Sequence, residues 1–500
     1  MEASMRTVSY PCYQSVFSQT FSLLEGQECV VSDTLPDVAS ILCSSAAPLI
    51  RSKDLSEGRV RLEANVPARI TCLGEDGALF CIDVNIPFYL SAQEEGLNED
   101  CACVVSLTLR QLDARMLNPR KLSVRAELQV QIECFLSGGF EMEAATEACE
   151  AQMHTLERGA EVSTICAVTE KTFVLTDEYT LPDQQSAAAE ILAQSAIVRT
   201  QEIKTVGSKV IASGLVESEL LYRSEEGDVC AAAFQTAFSQ IIEADCETDD
   251  ASIELKNLLS GMYYEIIPGT EMRQLGMELH LVAQAVVWQK QSVSYLADAY
   301  SNAFPLQLHR EQRCFSQILR DCTLRENGRA SIETPEPVMG VISCRARTLS
   351  ADVDGNSIIC RFRVALCYRS EEKFCSIERI CSHTFSVDEL GDDLRVSDVC
   401  ISDVSTVPAE NGAEVRFAAE LRVRVMSQLE LDCISGIEWD ENAGVNTDAL
   451  PTLVLLRADS RENLWQLAKD NCSTVEAICA ANGLEDGENW ERLLMIPKAL

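Results

Sequence analysis

The sequence predicts a mainly β protein: three tandem β modules followed by a small α+β tail in the order strand, helix, helix, strand. Three observations carry this expectation. Long stretches alternate apolar and polar residues with period two, the signature of a half-buried strand. Residues 59–77 recur at 209–227 and again near 356–374. After residue 450 the alternation gives way to apolar residues three and four apart, the period of a helix.

The recurrence sets the modules. With 59–77 laid over 209–227, Val60 meets Val210, Val66 meets Val216 and Ile70 meets Leu220. Glu75-Asp76-Gly77 meets Glu225-Glu226-Gly227, and the register reaches Phe88 and Phe238 in one direction, Ile41-Leu42 and Ile191-Leu192 in the other. In the third copy Tyr368-Arg369-Ser370-Glu371-Glu372 repeats Tyr222-Arg223-Ser224-Glu225-Glu226. Leu-Pro-Asp occurs at 35–37 and at 181–183. Equivalent strands are expected at 59–73, 209–223 and 356–369.

In chain order, residues 1–137 make the first module, with N-terminal strands and the alternating stretch 121–134. Residues 138–160 read as an acidic connector, helical or loose over 141–157. The second module spans 161–290, with a short helix expected at Ser186–Gln194 and a strand over 275–288. The third spans 291–426. In it Asp354-Gly355 is a hairpin turn, and Ile358 to Tyr368 carries the densest alternation. Along 414–426, Val415, Phe417, Leu421, Val423 and Val425 share one face, with Arg416, Glu420, Arg422 and Arg424 on the other. Residues 427–450 hold six acidic residues and no basic one, and read as a linker.

Residues 451–500 are the tail. Leu453 to Leu456 is a strand. Ser460 caps a helix whose inward face is Leu464, Leu467 and Ala468. Ser473 and Glu476 form a capping box on a second helix, with Val475, Ile478 and Cys479 inward and Asn482-Gly483 as its stop. Leu493 to Ile496 closes as a strand before Pro497.

Composition narrows the function classes. The chain has 500 residues, 47% hydrophobic and 24% charged, which is enough apolar material for several cores. Its 78 acidic residues against 41 basic ones give a net charge of −37. Such a surface repels phosphate backbones and anionic lipid headgroups, so nucleic acid and membrane partners are disfavoured. The opening stretch holds one Arg and no apolar run, so no secretory leader or membrane insertion is expected. The 23 cysteines are an odd number without a Cys-x-x-Cys pair, and most stand singly in strand-like text. They read as reduced, small hydrophobes in a reducing cytosol.

Catalytic constellations are missing from the text. The four histidines, His154, His280, His309 and His383, show no metal-ligand spacing, and His280 reads as a strand-surface residue. Asp352 to Asn356 faintly suggests a calcium loop, but its glycine is fourth rather than sixth and Arg363 holds the twelfth place. No Gly-rich phosphate loop, HExxH or GxSxG occurs. The reading is a non-enzyme without cofactors.

The tail carries Leu464-Trp465-Gln466-Leu467-Ala468-Lys469, Thr474-Val475-Glu476-Ala477-Ile478, Asn482-Gly483-Leu484 and Leu494-Met495-Ile496-Pro497. In these it is similar to a LysM module. The earlier part carries Leu117-Asn118-Pro119-Arg120-Lys121-Leu122-Ser123-Val124-Arg125-Ala126-Glu127 and Asp298-Ala299-Tyr300-Ser301. There it resembles the SPOCS domain of clostridial spore-coat proteins. SPOCS repeats ahead of a C-terminal LysM are the architecture of the SipL-type family of coat morphogenetic proteins.

The resemblance implies a scaffold in the mother-cell cytosol at the forespore surface. Its LysM would grip the coat basement ATPase, of the stage IV sporulation protein A type, while the repeats recruit coat proteins or self-associate. Sugar-binding LysM modules use small glycines where this chain has Arg461 and Glu491, with Glu462 in place of their aspartate, which disfavours peptidoglycan. A wall protein that binds peptidoglycan is the alternative reading. The candidate partner-binding residues are Arg461, Glu462, Asn463, Trp465, Asn482, Leu484 and Trp490, with Trp490 as aromatic anchor in a charged loop.

Overall fold

A computed structural model describes residues 2–146, 152–269, 272–355, 357–371, 373–387, 393–409, 411–440, 442–445, 451–459, 464–484 and 491–499. The protein is mainly β, and one strand order recurs three times. The first unit holds β1 (Met5–Val30), β2 (Val38–Ala46), β3 (Leu49–Ser56), β4 (Arg59–Gly74), β5 (Leu79–Gln93), β6 (Ala102–Asn118) and β7 (Lys121–Thr146). The second holds β8 (Met153–Thr180), β9 (Ala188–Val206), β10 (Lys209–Ser224), β11 (Val229–Glu243), β12 (Ser252–Ile267) and β13 (Gln274–Ser301). The third holds β14 (Leu306–Glu333), β15 (Gly340–Asp354), β16 (Ser357–Ser370), β17 (Lys373–Ser386), β18 (Asp393–Ala409) and β19 (Gly412–Trp439).

Each unit is a sandwich of two antiparallel sheets. One sheet joins the first, last and penultimate strands, as β1-β7-β6, β8-β13-β12 and β14-β19-β18. The other centres on the stretch that recurs in sequence: β4 between β2/β3 and β5, β10 between β9 and β11, and β16 between β15 and β17. In the first unit Pro48 stands where β2 gives way to β3, because proline has no N–H to donate to the ladder. The period-two pattern decides which side chains enter. Val60, Leu62, Ala64, Val66, Ala68, Ile70 and Cys72 of β4 are buried against Leu122, Val124, Ala126, Leu128, Val130, Ile132 and Cys134 of β7. Each large one contributes roughly 1.5–3 kcal/mol relative to exposure.

Several expectations are corrected. Ser186–Gln194 contains no helix: Ala188 onward is β9, with Ala188, Leu192 and Ala193 buried on the β10 edge. The connector at 138–160 is strand up to Thr146 and again from Met153, since β1 and β13 supply ladders to its backbone. Residues 427–439 of the linker expected at 427–450 are strand instead, because β19 runs to Trp439 and buries Leu431, Cys433, Ile434 and Ile437. The boundary at 290/291 falls inside β13.

Turns follow local chemistry. The hairpins from β4 to β5 and β10 to β11 place Gly77 (φ 80°) and Gly227 (φ 94°) in the left-handed region. The third unit uses Glu371 there, at φ 50°. A side chain in that region costs about 1–2 kcal/mol. Glu371→Gly is therefore expected to stabilise the protein by about 1 kcal/mol, read as a raised urea midpoint at unchanged m-value. The two Leu-Pro-Asp loops are clamped alike: Arg120 donates to the Leu35 carbonyl (2.8 Å) and Arg273 to that of Leu181 (3.2 Å). Arg120 also pairs with Asp33 and Asp37. Asp354-Gly355 is a hairpin turn as expected, and Arg361 and Ser350 take up Asp352.

The units close into a ring. First and second meet through Lys256–Glu133 (2.7 Å) and Thr71, which donates to the Leu192 carbonyl (2.9 Å). Gln284 of the second unit donates to the Val105 carbonyl (2.8 Å) and accepts from the Val105 N–H (3.0 Å). Second and third meet through Arg199–Glu420 (3.4 Å), Arg424–Glu254 (3.7 Å) and Arg422, which donates to the Thr200 carbonyl. Third and first meet where Arg363 donates to the Arg110 carbonyl (2.8 Å) and where the Ala3 N–H donates to the Ile437 carbonyl (2.9 Å). At one end the ribbons formed by the long strands converge. There Tyr10 stacks on Phe140, which meets Phe315 at a tilt, beside Met142, Val293 and Leu431.

Candidate protein-interaction surface

The tail begins as β20 (Leu453–Asp459), continues through α1 (Leu464–Asp470) and α2 (Val475–Asn482), and ends as β21 (Glu491–Pro497). The two strands pair antiparallel, with Leu455 opposite Met495 and Leu453 opposite Pro497. Ala468, Ile478 and Ile496 are buried at the centre, with Val454, Leu456, Leu464, Leu467 and Val475 packed around them. The cap of α2 differs from the expected box by one residue. Thr474 is the N-cap and accepts from the Ala477 N–H (3.0 Å), while buried Ser473 donates to the Pro497 carbonyl. Gly483 in the left-handed conformation ends the helix.

The tail is docked on the end of β13, through the Asp298–Ser301 stretch. Asp298 accepts from Trp465 Nε1 (2.8 Å) and pairs with Lys469 (2.8 Å) and Arg310 (2.9 Å). Tyr300 meets the Trp465 ring edge-on at 4.8 Å and donates to the Ser473 carbonyl (2.9 Å). Asn302 donates to the Ala499 carbonyl (2.9 Å). Burial alone would raise the Asp298 pKa. The hydrogen bonds from Lys469 and Trp465, with the Lys469 charge, outweigh it and hold the carboxyl below its ordinary value.

This geometry sorts the candidate partner residues. Trp465 turns its ring and its indole N–H to the β body. Asn482 is a clamp within the tail: it donates to the Met495 carbonyl (2.6 Å) and accepts from the Met495 N–H (2.8 Å). Leu484 is half-buried just beyond α2, its N–H donating to the Cys479 carbonyl (3.1 Å). Arg461, Glu462, Asn463 and Trp490 lie outside the described residues, as does Ser460.

A surface the sequence reading did not pick out lies on the strand pair. Leu453, Leu455, Leu493 and Met495 project from the face opposite the tail core, with Leu455 and Leu493 56% and 57% exposed. Leu453–Leu456 is an unbroken apolar run, yet only Val454 and Leu456 face inward. The signal was present in the unbroken apolar text. A two-stranded ribbon apolar on both faces has one face left over, and such patches mark contact surfaces. Elsewhere chemistry is sparse. Among the described residues no three His, Cys, Asp or Glu side chains converge as metal ligands, every cysteine is a free thiol, and no helix is long and apolar enough to cross a membrane. His280 sits on a strand surface with its ring nitrogen 2.7 Å from Glu278.

No family model, no curated protein and no solved structure matches the chain.

Proposed function

We propose that the protein is a non-enzymatic scaffold of spore-coat assembly that acts in the mother-cell cytosol at the forespore surface. In this reading the three β units are SPOCS-like repeats and the tail is a LysM-like module that grips the basement ATPase of the coat. The observation that carries it is the exposed apolar row Leu453, Leu455, Leu493 and Met495 on a tail held firmly against the body. A scaffold needs a rigid arm with one sticky face, because ordering a mobile arm would subtract from binding. The acidic surface supports the same reading, since it keeps an assembling protein soluble and favours a basic patch on the partner.

The test is capture of the purified ATPase by the full chain. Leu455→Glu with Met495→Glu should abolish capture, because burying two carboxylates in an interface centre adds desolvation to the lost contacts. Far-UV circular dichroism should stay native, since both side chains point away from the tail core. Unchanged capture would remove this face from the site. Retention of the native chain on insoluble peptidoglycan, with no ATPase bound, would favour the wall-binding alternative.

A further inference from the structure

Where the three units face one another, the β15-β16-β17 sheet turns a set of arginines inward. Arg345 and Arg347 lie on one face of β15, two residues apart. Across the ladder Arg345 sits opposite Ala365, which is opposite Glu378, and Arg347 sits opposite Arg363. Directly opposed like charges destabilise a strand pair. The face borders a cavity of about 240 Å³, whose remaining walls include Ser45 of the first unit and Gln194 and Asn257 of the second.

Only part of this charge is answered. Arg363 pairs with Glu378 (2.9 Å) and donates to the Arg110 carbonyl. The side chains of Arg345 and Arg347 make no hydrogen bond or ion pair with any described residue, and the Arg345 Nε is buried without a partner. In a chain with 78 carboxylates, two unanswered guanidiniums beside one occupied carboxylate form a conspicuous gap. Burial, then repulsion from Arg345 and Arg363, brings the Arg347 pKa down to about 10 against the opposing pull of Glu378. The planar forks of two adjacent arginines suit an oxyanion that offers two acceptor edges.

We propose that this junction binds a compact multivalent oxyanion, of the phosphate or polycarboxylate kind, between Arg345 and Arg347. The anion neutralises the repulsion between the two guanidiniums and ties the third unit to the other two. Its binding must overcome the protein's net charge of −37, so a saturable response is a demanding criterion.

The experiment is a melting and titration series on the full chain with inorganic phosphate, pyrophosphate and citrate, each against sodium chloride at equal ionic strength. The melting temperature should rise saturably with at least one oxyanion and not with chloride; which one identifies the ligand class. Arg345→Gln with Arg347→Gln should weaken that binding about tenfold or more while leaving the ligand-free protein no less stable. Ala365→Asp places a carboxylate in the same cross-strand row. It should raise the ligand-free melting temperature and remove the response. Equal responses to oxyanion and chloride would overturn the proposal, as would saturable binding retained by the double variant. Should the double variant fail to fold, the arginines are structural, and an unchanged response in Ala365→Asp would then overturn the proposal as well.

Discussion

Gln284→Leu is expected to destabilise the protein by about 3 kcal/mol. Gln284 is 1% exposed and meets both backbone groups of Val105, itself fully buried. β6 is an edge strand, paired on one side with β7. The glutamine amide therefore stands in for the next strand of that sheet, at one residue. Leucine fits the volume but leaves a buried N–H and a buried carbonyl without partners, at about 1–3 kcal/mol each. Lys53, which donates to the same Gln284 oxygen at 3.2 Å, would keep Glu170 as its counter-ion. Urea unfolding followed by circular dichroism reads the loss, and a change below about 1 kcal/mol would mean that water replaces the clamp.

Asp298→Ala should release the tail from the body. The substitution removes the acceptor of the Trp465 N–H and the counter-ion of Lys469, while Arg310 keeps Asp432 at 2.8 Å. Hydrogen bonds to a charged group are worth about 1.5–3 kcal/mol, so docking should weaken by about 3 kcal/mol, or over a hundredfold. Hydrogen exchange would show faster labelling across α1, α2 and β21 with β14 and β19 unchanged. The native protein should show the same release in acid. A carboxyl whose folded pKa is depressed stabilises above its unfolded value, ~3.9, and loses that contribution as pH falls through the folded value. Docking should therefore hold from neutral pH down to about pH 5 and fail only below the ordinary aspartate range. Tail exchange that is as slow in Asp298→Ala as in the native chain would show that Tyr300 and Asn302 suffice.

The strands were legible because burial follows a period of two, and Val60, Val210 and Ile358 all report the same inward face. The errors fell where local propensity and tertiary pairing disagree. Ser186–Gln194 and 141–157 are rich in Ala and Glu, strong helix formers. A free edge on β10 and the partner strands β1 and β13 overrode that preference. Polar faces misled in another way. On β19, Arg422 and Arg424 alternate with apolar residues as a solvent face would, yet Arg424 is 2% exposed. It lies against Asp321 (2.9 Å) and over the Trp288 ring at the junction with the second unit. Alternation separates inside from outside for one sandwich only, and cannot report that a polar face meets another unit. The tail's order of elements was readable, whereas its exposed apolar row depends on which face of a strand pair the helices cover.

The bond from Ala3 to Ile437 links the start of the chain to the last strand of the third unit. A ribosome adds roughly 5–20 residues per second, so the first sandwich waits on the order of tens of seconds before that strand emerges. In that interval the faces of the ring that have not yet closed stand open to water and to neighbouring nascent chains. Those faces mix Arg, Glu, Gln and Thr with apolar seams, such as Val104 and Phe135 of the first unit against Ile165 and Val286 of the second. Charged joints between half-made neighbours resist premature sticking far better than leucine would. The charges among these seams thus guard an unclosed ring against neighbouring copies until the last strand of the third unit arrives.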